Sequence, residues 1–201
     1  MKPILAWDLH GVLFNLDYKR FWQLIGKTPH KIRLFLMAPQ VLWYFYTIWQ
    51  RTHVAEFIFH ALQERFPLLQ QVPFSQFANA QKPNMNMVAL LENLKNKGYE
   101  LVLASNIGPE LYADLKKEIP AVFDLFSAAF IAQKSQNGTL EKRERAFYDN
   151  IQKYYPAQPI VLIDDKKHNI RLAKKVGILG ILFKNMSQLK KELGCFLNEP
   201  L

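Results

Sequence analysis

Cysteine is nearly absent from this chain. The 201 residues contain a single cysteine, Cys195. One cysteine cannot form an internal disulfide, which excludes a disulfide-stapled scaffold and favours a reducing compartment. Cys195 has no histidine near it in the sequence, so we expect this side chain to serve in packing and not in catalysis.

A hydrophobic run long enough to span a membrane is also missing. Residues 34–49 come nearest, but a span needs about 20 apolar residues, and Pro39 and Gln40 interrupt this shorter run. The apolar run at the N-terminus is broken by Asp8 and lacks a small-residue cleavage site, so we expect no signal peptide. The prediction is a cytoplasmic protein without stable membrane insertion.

Acidic residues are outnumbered by basic ones. There are 17 Asp and Glu against 26 Lys and Arg, and the net charge of +9 suits an anionic ligand, whether phosphate ester, nucleic acid or membrane surface. The densest basic stretch, residues 166–175, favours a solvated helix face over a nucleic-acid patch. We therefore expect no nucleic-acid partner. Half of the residues are hydrophobic, so we expect a folded chain and not a disordered one.

The first apolar segment, residues 4–14, carries one carboxylate, Asp8, and then reaches Gly11. An unpaired charge in the middle of a buried strand is costly. We therefore expect Asp8 at the carboxyl end of a strand, where open α/β sheets bind their ligands. Gly11 allows the backbone to leave the sheet in a conformation that a β-carbon disfavours. This pattern is typical of an active-site strand end.

Apolar strands alternate with amphipathic helices in the second part of the chain. The predicted strands cover residues 100–104, 128–132, 159–163 and 178–183. The predicted helices cover residues 87–94 (ending at Gly98), 109–117, 141–154 and 170–176 (ending at Gly177), with a short last helix from Ser187. This alternation predicts an α/β fold, a doubly wound (Rossmann-like) parallel sheet covered on both faces.

Residues 15–82 have a different character, because no stretch alternates with period two for long. Helix starts are indicated at Asp17, at Thr28 before Pro29, and at Thr52, with Pro67 ending the last helix. Residues 81–84 are expected to be the linker that closes this insert. The predicted organisation is an α/β core of residues 1–14 and 83–201 and an all-helical cap of residues 15–82, with three to five helices.

The aromatic run within the insert has three interpretations. Its aromatic residues are Trp43, Tyr44, Phe45, Tyr46 and Trp49. They can belong to a helix that packs against its neighbours, or they can line a pocket above the active site or form a partner surface. Peripheral membrane contact through aromatic and basic residues is the third possibility.

The predicted strand ends carry the polar residues from which a site can be assembled. Asp8, the pair Ser105 and Asn106, and the pair Asp164 and Asp165 would all lie along one edge of a parallel sheet. Three carboxylates repel one another unless a cation lies between them, and oxygen ligands of this kind suit Mg²⁺. A serine hydroxyl, an asparagine amide and a nearby lysine would hold anionic oxygens. The set fits phosphoryl chemistry with one carboxylate as nucleophile.

These segments resemble the motifs of the haloacid dehalogenase-like (HAD) superfamily, over roughly residues 3–14 and 84–193. Residues 8–13 are similar to its first motif, whose leading aspartate is the nucleophile, and this implies that role for Asp8. Residues 103–106 resemble the second motif, so Ser105 would bind the transferring phosphoryl group. The insert stands where many members carry a helical cap.

Two further motifs complete the resemblance. Lys142, at the start of a predicted helix, is similar to the third-motif lysine, and Lys134 is a weaker candidate for the role. Residues 163–165, with Asn169 and residues 173–177 after them, resemble the fourth motif, in which the acidic pair holds Mg²⁺. The resemblance therefore implies that the metal ligands include Asp164 and Asp165.

The sequence departs from the family pattern at His10. Phosphatases of the family usually have a second aspartate there, as general acid for the leaving group and then as base for water. The backbone carbonyl at that position binds the metal in the family, and His10 retains it. Imidazole can also transfer protons near neutral pH. Three outcomes stay open: a phosphatase that uses His10, a catalytically weakened binding protein on the same fold, and a non-phosphatase HAD hydrolase of the dehalogenase kind.

Each candidate residue also has a structural alternative. Ser105 and Asn106 are good helix N-caps, Lys142 could be a surface lysine, and the acidic pair could favour a helix N-terminus. The presence of four family-like motifs in the expected order favours a functional site over these structural alternatives. The remaining histidines show no metal-ligand spacing and are assigned no role: His30, His53, His60 and His168.

The sequence thus predicts a Mg²⁺-dependent phosphohydrolase that acts on a small phosphorylated molecule through an aspartyl-phosphate intermediate. The predicted catalytic residues are Asp8, His10, Ser105 and Lys142. The predicted substrate-binding residues are Ser105, Asn106 and Lys142. The predicted metal ligands are Asp8, His10, Asp164 and Asp165.

Overall fold

A computed structural model of the chain describes residues 1–17, 19–20, 38–71, 80–135 and 138–201. The strands are β1 (Ile4–Trp7), β2 (Phe14–Leu16), β3 (Gln81–Pro83), β4 (Glu100–Ser105), β5 (Ala128–Ile131), β6 (Gln133–Ser135), β7 (Gly138–Leu140), β8 (Ile160–Asp164) and β9 (Leu179–Leu182). The α-helices are α1 (Ala38–Trp49), α2 (Ala55–Arg65), α3 (Met85–Asn96), α4 (Pro109–Glu118), α5 (Pro120–Phe123), α6 (Arg145–Tyr154), α7 (Lys167–Lys175) and α8 (Met186–Leu197). A 3-10 helix, Pro67–Gln71, follows α2.

The core is a five-stranded sheet in the order β5-β4-β1-β8-β9 with every pairing parallel. β1 lies at its centre, and Trp7 is in register with Leu103 of β4 and Ile163 of β8. The residues that follow these three strands therefore lie side by side at one edge of the sheet. The predicted α/β core is confirmed.

Both faces of the sheet are covered, which is why the strands show no polar alternation. Leu5 and Trp7 of β1 belong to the apolar cluster that includes residues of α3, α4 and α8. Ile4 and Ala6 belong to the opposite cluster, with residues of α6 and α7. Successive side chains of a strand point to opposite faces, so one short strand anchors both halves of the core. The doubly wound arrangement is confirmed.

The predicted helix over residues 141–154 begins four residues late, and that part of the prediction is wrong. α6 starts at Arg145. Glu141 and Lys142 are both buried before it. The Lys142 backbone N–H donates to Asn106 Oδ1 at 2.6 Å, so it is held by a side chain of the core and not by a helical carbonyl. Lys142 lies in a turn ahead of the helix.

The expected linker of residues 81–84 is also wrong, because most of it is strand β3. β3 pairs antiparallel with β2, with Leu16 opposite Gln81 and Phe14 opposite Pro83. The pair joins the two chain segments that bound the insert. Proline has no backbone N–H to donate to a neighbouring strand. Pro83 is tolerated because this ribbon has only two strands, so each strand is an edge strand. The limits of residues 15–82 for the cap stay a prediction, and we propose this ribbon as its base.

Within the insert, α1 packs on α2 through an apolar cluster of Ile48, Ile58, Leu62 and Phe66. The helix expected from Thr52 begins at Ala55 instead, because Thr52 Oγ1 accepts a hydrogen bond from Val54 N at 3.2 Å outside the helix. Asp17 does accept from Arg20 N at 3.1 Å, as an N-cap would. The helix start expected at Thr28 lies outside the described residues.

Two surface predictions have opposite outcomes. Cys195 is exposed, so the expectation that it packs is wrong: α8 turns Leu189 and Leu193 to the core. The charged side chains of residues 166–175 are exposed, as a solvated helix face requires. Among the described residues, no helix combines the length and the apolar character needed to cross a membrane.

Candidate active site

Three neighbouring strands deliver buried polar side chains to one edge of the sheet. Asp8 follows β1, Ser105 ends β4 and Asp164 ends β8, and their exposed fractions are 4%, 1% and 0%. Asp8 and Ser105 line a cavity of about 320 Å³ together with His10, Asn106, Lys142 and Asn169. The strand ends thus bring together residues that are far apart in the sequence.

Lys142 lies between two of these carboxylates. Its Nζ is 2.7 Å from Asp8 Oδ1 and 2.5 Å from Asp164 Oδ2. Burial alone would lower the pKa of Lys142, but the two carboxylates outweigh it and hold that pKa above its usual range. The lysine is therefore charged at neutral pH. Lys134, the other candidate, instead places its Nζ over the ring of Phe57.

Asp164 is held in place by the turn that leads into α7. Asn169 Nδ2 donates to both of its carboxylate oxygens, at 3.1 and 3.0 Å, and Lys166 N donates to Oδ1 at 2.8 Å. Burial raises the pKa of Asp164 and the Asp8 charge adds to this, while Lys142 opposes both effects. These three hydrogen bonds fix the orientation of the carboxylate, as outer-shell partners do for the ligands of a metal ion.

The carboxylates of Asp8, Asp164 and Asp165 can each bring one oxygen within 4.8 Å of the others. Gly11 makes this approach possible. Its φ is +85°, which favours glycine, and a Cβ at this position would lie 2.6 Å from Asp165 Oδ2. Burial and then the Asp164 charge raise the pKa of Asp165. Clustered acidic oxygens of this kind fit a hard divalent cation such as Mg²⁺.

His10 lies in the turn after β1 and lines the cavity. Burial lowers the pKa of His10 to about 4, and the charges of Lys142 and Lys166 add to the effect. The imidazole is therefore uncharged at neutral pH in this environment. Its backbone forms an isolated bridge with Phe14, which fixes the turn.

Several residues that line the cavity were not found from the sequence: His53, Glu56, Gln81 and Lys166. Glu56 is only 5% exposed, and its Oε2 accepts a hydrogen bond from Leu111 N at 2.9 Å. Its place on the otherwise apolar side of α2 is the one signal that could have revealed it. Gln81 Oε1 is buried and has no hydrogen-bond partner among the residues that the structure describes, and nothing in its sequence surroundings indicates this.

The insert is attached to the core beside Lys142. Glu141 Oε2 accepts from Thr52 Oγ1 at 3.1 Å and from His53 N at 3.0 Å. Arg143 donates to the Arg51 carbonyl. The residues on both sides of Lys142 therefore bind the segment between α1 and α2.

Comparison with known proteins adds one curated relative. No protein-family model matches the chain. The chain is 26% identical over 128 residues to the sesquiterpene phosphatase astK of Aspergillus oryzae. The alignment covers 61% of this chain and 63% of that enzyme, so it spans less than two thirds of the relative's length.

Solved structures match over nearly the whole chain. The HAD family enzyme BT-2542 of Bacteroides thetaiotaomicron is 20% identical with a TM-score of 0.62, over 92% of this chain and 94% of that one; it has also been solved with magnesium and inorganic phosphate. The magnesium-bound putative HAD-hydrolase YfnB of Bacillus subtilis is 14% identical with a TM-score of 0.64, over 98% and 99%. The L-2-haloacid dehalogenase of Xanthobacter autotrophicus, with chloropropionic acid covalently bound, is 15% identical with a TM-score of 0.60, over 97% and 83%.

Proposed function

This chain has the fold of the haloacid dehalogenase-like hydrolases, and on that premise we propose that it is a Mg²⁺-dependent phosphohydrolase. Its substrate would be a small phosphate ester, cleaved through an aspartyl-phosphate on Asp8. The observation that carries the proposal is the position of Lys142, which lines the cavity and whose Nζ contacts both Asp8 and Asp164. The phosphatase named among the relatives supports the same reaction class.

Asp8 supplies the nucleophile. Its Oδ1 accepts hydrogen bonds from Leu9 N and Lys142 Nζ, both at 2.7 Å. Its Oδ2 accepts none from the residues that the structure describes, so this oxygen is the one that attacks phosphorus. The new bond joins Oδ2 to phosphorus as the bond from phosphorus to the ester oxygen breaks, and the leaving group departs with that electron pair. Lys142 and Ser105 hold the phosphoryl oxygens during the transfer.

Four residues would hold the metal: Asp8, Asp164, Asp165 and the backbone carbonyl of His10. Bound Mg²⁺ would supply positive charge against which the phosphoryl oxygens are neutralised. Asn169 and Lys166 keep the Asp164 carboxylate in position for this role. The magnesium and phosphate bound by BT-2542 support the assignment of metal and substrate class.

Water then releases phosphate. A water molecule attacks phosphorus, the bond to Asp8 breaks, and the aspartate is regenerated. His10 is the group in the cavity that we assign to move protons, accepting one from this water and returning it to the leaving group of the next cycle. An imidazole replaces the carboxylic acid usual here, so substrates with better leaving groups should react faster.

Hydrolysis of phenyl phosphate tests the proposal. We expect phosphate release that requires Mg²⁺, stops with EDTA and falls at least about 10³-fold in Asp8→Asn, because the nucleophile is lost. Asp149→Asn is the matched control, since this aspartate is half exposed, pairs with Arg145 and is not among the residues that line the cavity. Equal rates in Asp8→Asn and wild type would contradict the nucleophile assignment.

The role of His10 is tested with aryl phosphates of graded leaving-group pKa. Burial keeps the His10 imidazole largely uncharged at neutral pH and so makes it a weak proton donor. The wild-type rate should therefore fall as the leaving group becomes more basic, and His10→Asp should flatten this dependence by restoring the carboxylic acid usual in the family. No turnover in wild type with activity in His10→Asp would indicate a weakened enzyme that binds its ligand. Halide release from a haloacid without phosphate release would favour the dehalogenase alternative.

A further inference from the structure

Helix α1 carries exposed aromatic side chains beside the side that packs against α2. Val41, Tyr44 and Ile48 pack towards α2 and Phe66. The flank beside this packed side carries large exposed rings, with exposed fractions of 39% for Phe45 and 42% for Trp49. Exposed aromatic side chains on a helix that is already packed are candidates for contact with a ligand.

Three of the rings form a continuous stack, which we call the aromatic track: Phe45, Trp49 and His53. The centroids of Phe45 and Trp49 are 5.8 Å apart with an interplanar angle of 22°. Those of Trp49 and His53 are 4.4 Å apart at 27°. The residues are spaced by four, so the track follows one side of α1 and continues past its end.

The aromatic track leads to the cavity of the active site. His53 is its last member and also lines the cavity that contains Asp8 and Lys142. Its position is fixed by the hydrogen bond from its backbone N–H to Glu141, directly before Lys142 in the chain. The surface that begins at Phe45 is therefore continuous with the wall of the cavity.

The two ends of this surface differ in chemistry. The cavity offers the cations of Lys142 and Lys166 to an anionic group, whereas the aromatic track offers ring faces that contact apolar groups. A ligand that matches both ends has a phosphoryl head and an apolar body. A compact polar phosphate ester would leave the rings without a function.

We propose that the aromatic track binds the apolar body of a long-chain phosphate monoester whose phosphoryl group occupies the Asp8 cavity. The inference rests on the proposed phosphohydrolase function, because that function assigns the phosphoryl end. It adds the substrate class and names Trp49, at the centre of the stack, as the principal residue for tail recognition.

Binding of alkylphosphonates in the presence of Mg²⁺ tests this. A phosphonate has a carbon–phosphorus bond in place of the ester linkage, so a phosphohydrolase binds it without cleaving it. Decylphosphonate and butylphosphonate differ only in the tail, and calorimetry gives both dissociation constants. We expect decylphosphonate to bind wild type at least about tenfold more tightly, from the added apolar contact. Trp49→Ala should reduce the ratio to below about threefold without weakening butylphosphonate, and Trp49→Phe should preserve most of it.

Trp43 provides the matched control. It is 70% exposed on the same helix and its ring neighbour is Tyr46, outside the track. Trp43→Ala should leave the ratio unchanged. A wild-type ratio near one overturns the inference, and so does an equal loss in Trp43→Ala and Trp49→Ala, which would indicate a general apolar surface such as a membrane-contact face.

Phenyl phosphate hydrolysis, measured on the same samples, distinguishes failure of tail binding from failure of the phosphohydrolase function. If phenyl phosphate is hydrolysed but phosphonate binding does not depend on tail length, tail binding by the aromatic track is refuted and the phosphohydrolase function is supported. Tail-dependent binding that is lost in Trp49→Ala, without any hydrolysis, supports the track and refutes the catalytic proposal.

Discussion

Glu56 and Gly108 allow a sharp test of how the insert is attached to the core. Gly108 is the N-cap of α4 and provides no side-chain cap. Glu56 supplies one from α2, through the hydrogen bond that its carboxylate accepts from Leu111 N. A Cβ at Gly108 would overlap this carboxylate, at 2.7 Å from Oε1 and closer to Oε2. Its backbone, at φ −80° and ψ 165°, is open to any residue.

The effect of Gly108→Ser should therefore change sign with the residue at position 56. In wild type, serine would push the Glu56 carboxylate from the helix end and destabilise the fold by about 1–2 kcal/mol, since hydrogen bonds to charged groups are worth about 1.5–3 kcal/mol. Glu56→Ala alone should lose about 2 kcal/mol. In the Glu56→Ala background the serine hydroxyl can cap α4 itself, and Gly108→Ser should stabilise by about 1 kcal/mol.

Urea unfolding of the four proteins, followed by circular dichroism at fixed Mg²⁺, gives the coupling energy of the cycle. We expect about 2–3 kcal/mol. Glu118→Gln is the control, because Glu118 is an exposed acid of the same helix α4. A Gly108→Ser effect of equal size and sign in both backgrounds would refute the claim that Glu56 caps this helix.

Three further predictions concern the carboxylate cluster. Asn169→Ala removes the two hydrogen bonds that the Asn169 amide donates to Asp164 and should raise the half-saturating Mg²⁺ concentration about 10- to 100-fold, measured by titration of activity. Gly11→Ala should lose about 1–3 kcal/mol in urea unfolding, because its φ is positive and the new Cβ meets Asp165; an unchanged midpoint would contradict this. Lys142→Met leaves two buried carboxylates without their shared ammonium and should destabilise the metal-free protein by about 3–5 kcal/mol. In thermal melts, Mg²⁺ should then raise the midpoint of Lys142→Met more than that of wild type.

The sequence was sufficient wherever the signal is local. The sheet was predicted because a buried strand is a continuous apolar run, and its end is visible where a polar residue such as Asp8 or Asp164 interrupts the run. Gly98 and Gly177 mark helix ends by their positive φ in the structure, as their positions after apolar stripes predict.

Contacts between distant segments were beyond such reasoning. The late start of α6 follows from two long-range contacts, that of Lys142 N with Asn106, 36 residues away, and that of Glu141 with Thr52, 89 residues away. No local preference encodes such distances. Glu56 and Gln81 line the cavity only because the insert folds back over the core. Residues 81–84 looked like a linker because their partner strand, β2, is too short to show a pattern of its own.

Residues 141–143 contact the insert and the active-site carboxylates in turn, and this limits how the insert can be exchanged. Glu141 and Arg143 bind the insert, while Lys142 between them binds Asp8 and Asp164. One tripeptide thus belongs to two modules at once, residue by residue. A protein engineer who grafts a different insert onto this core would have to exchange the outer two residues with it and leave the middle one in place.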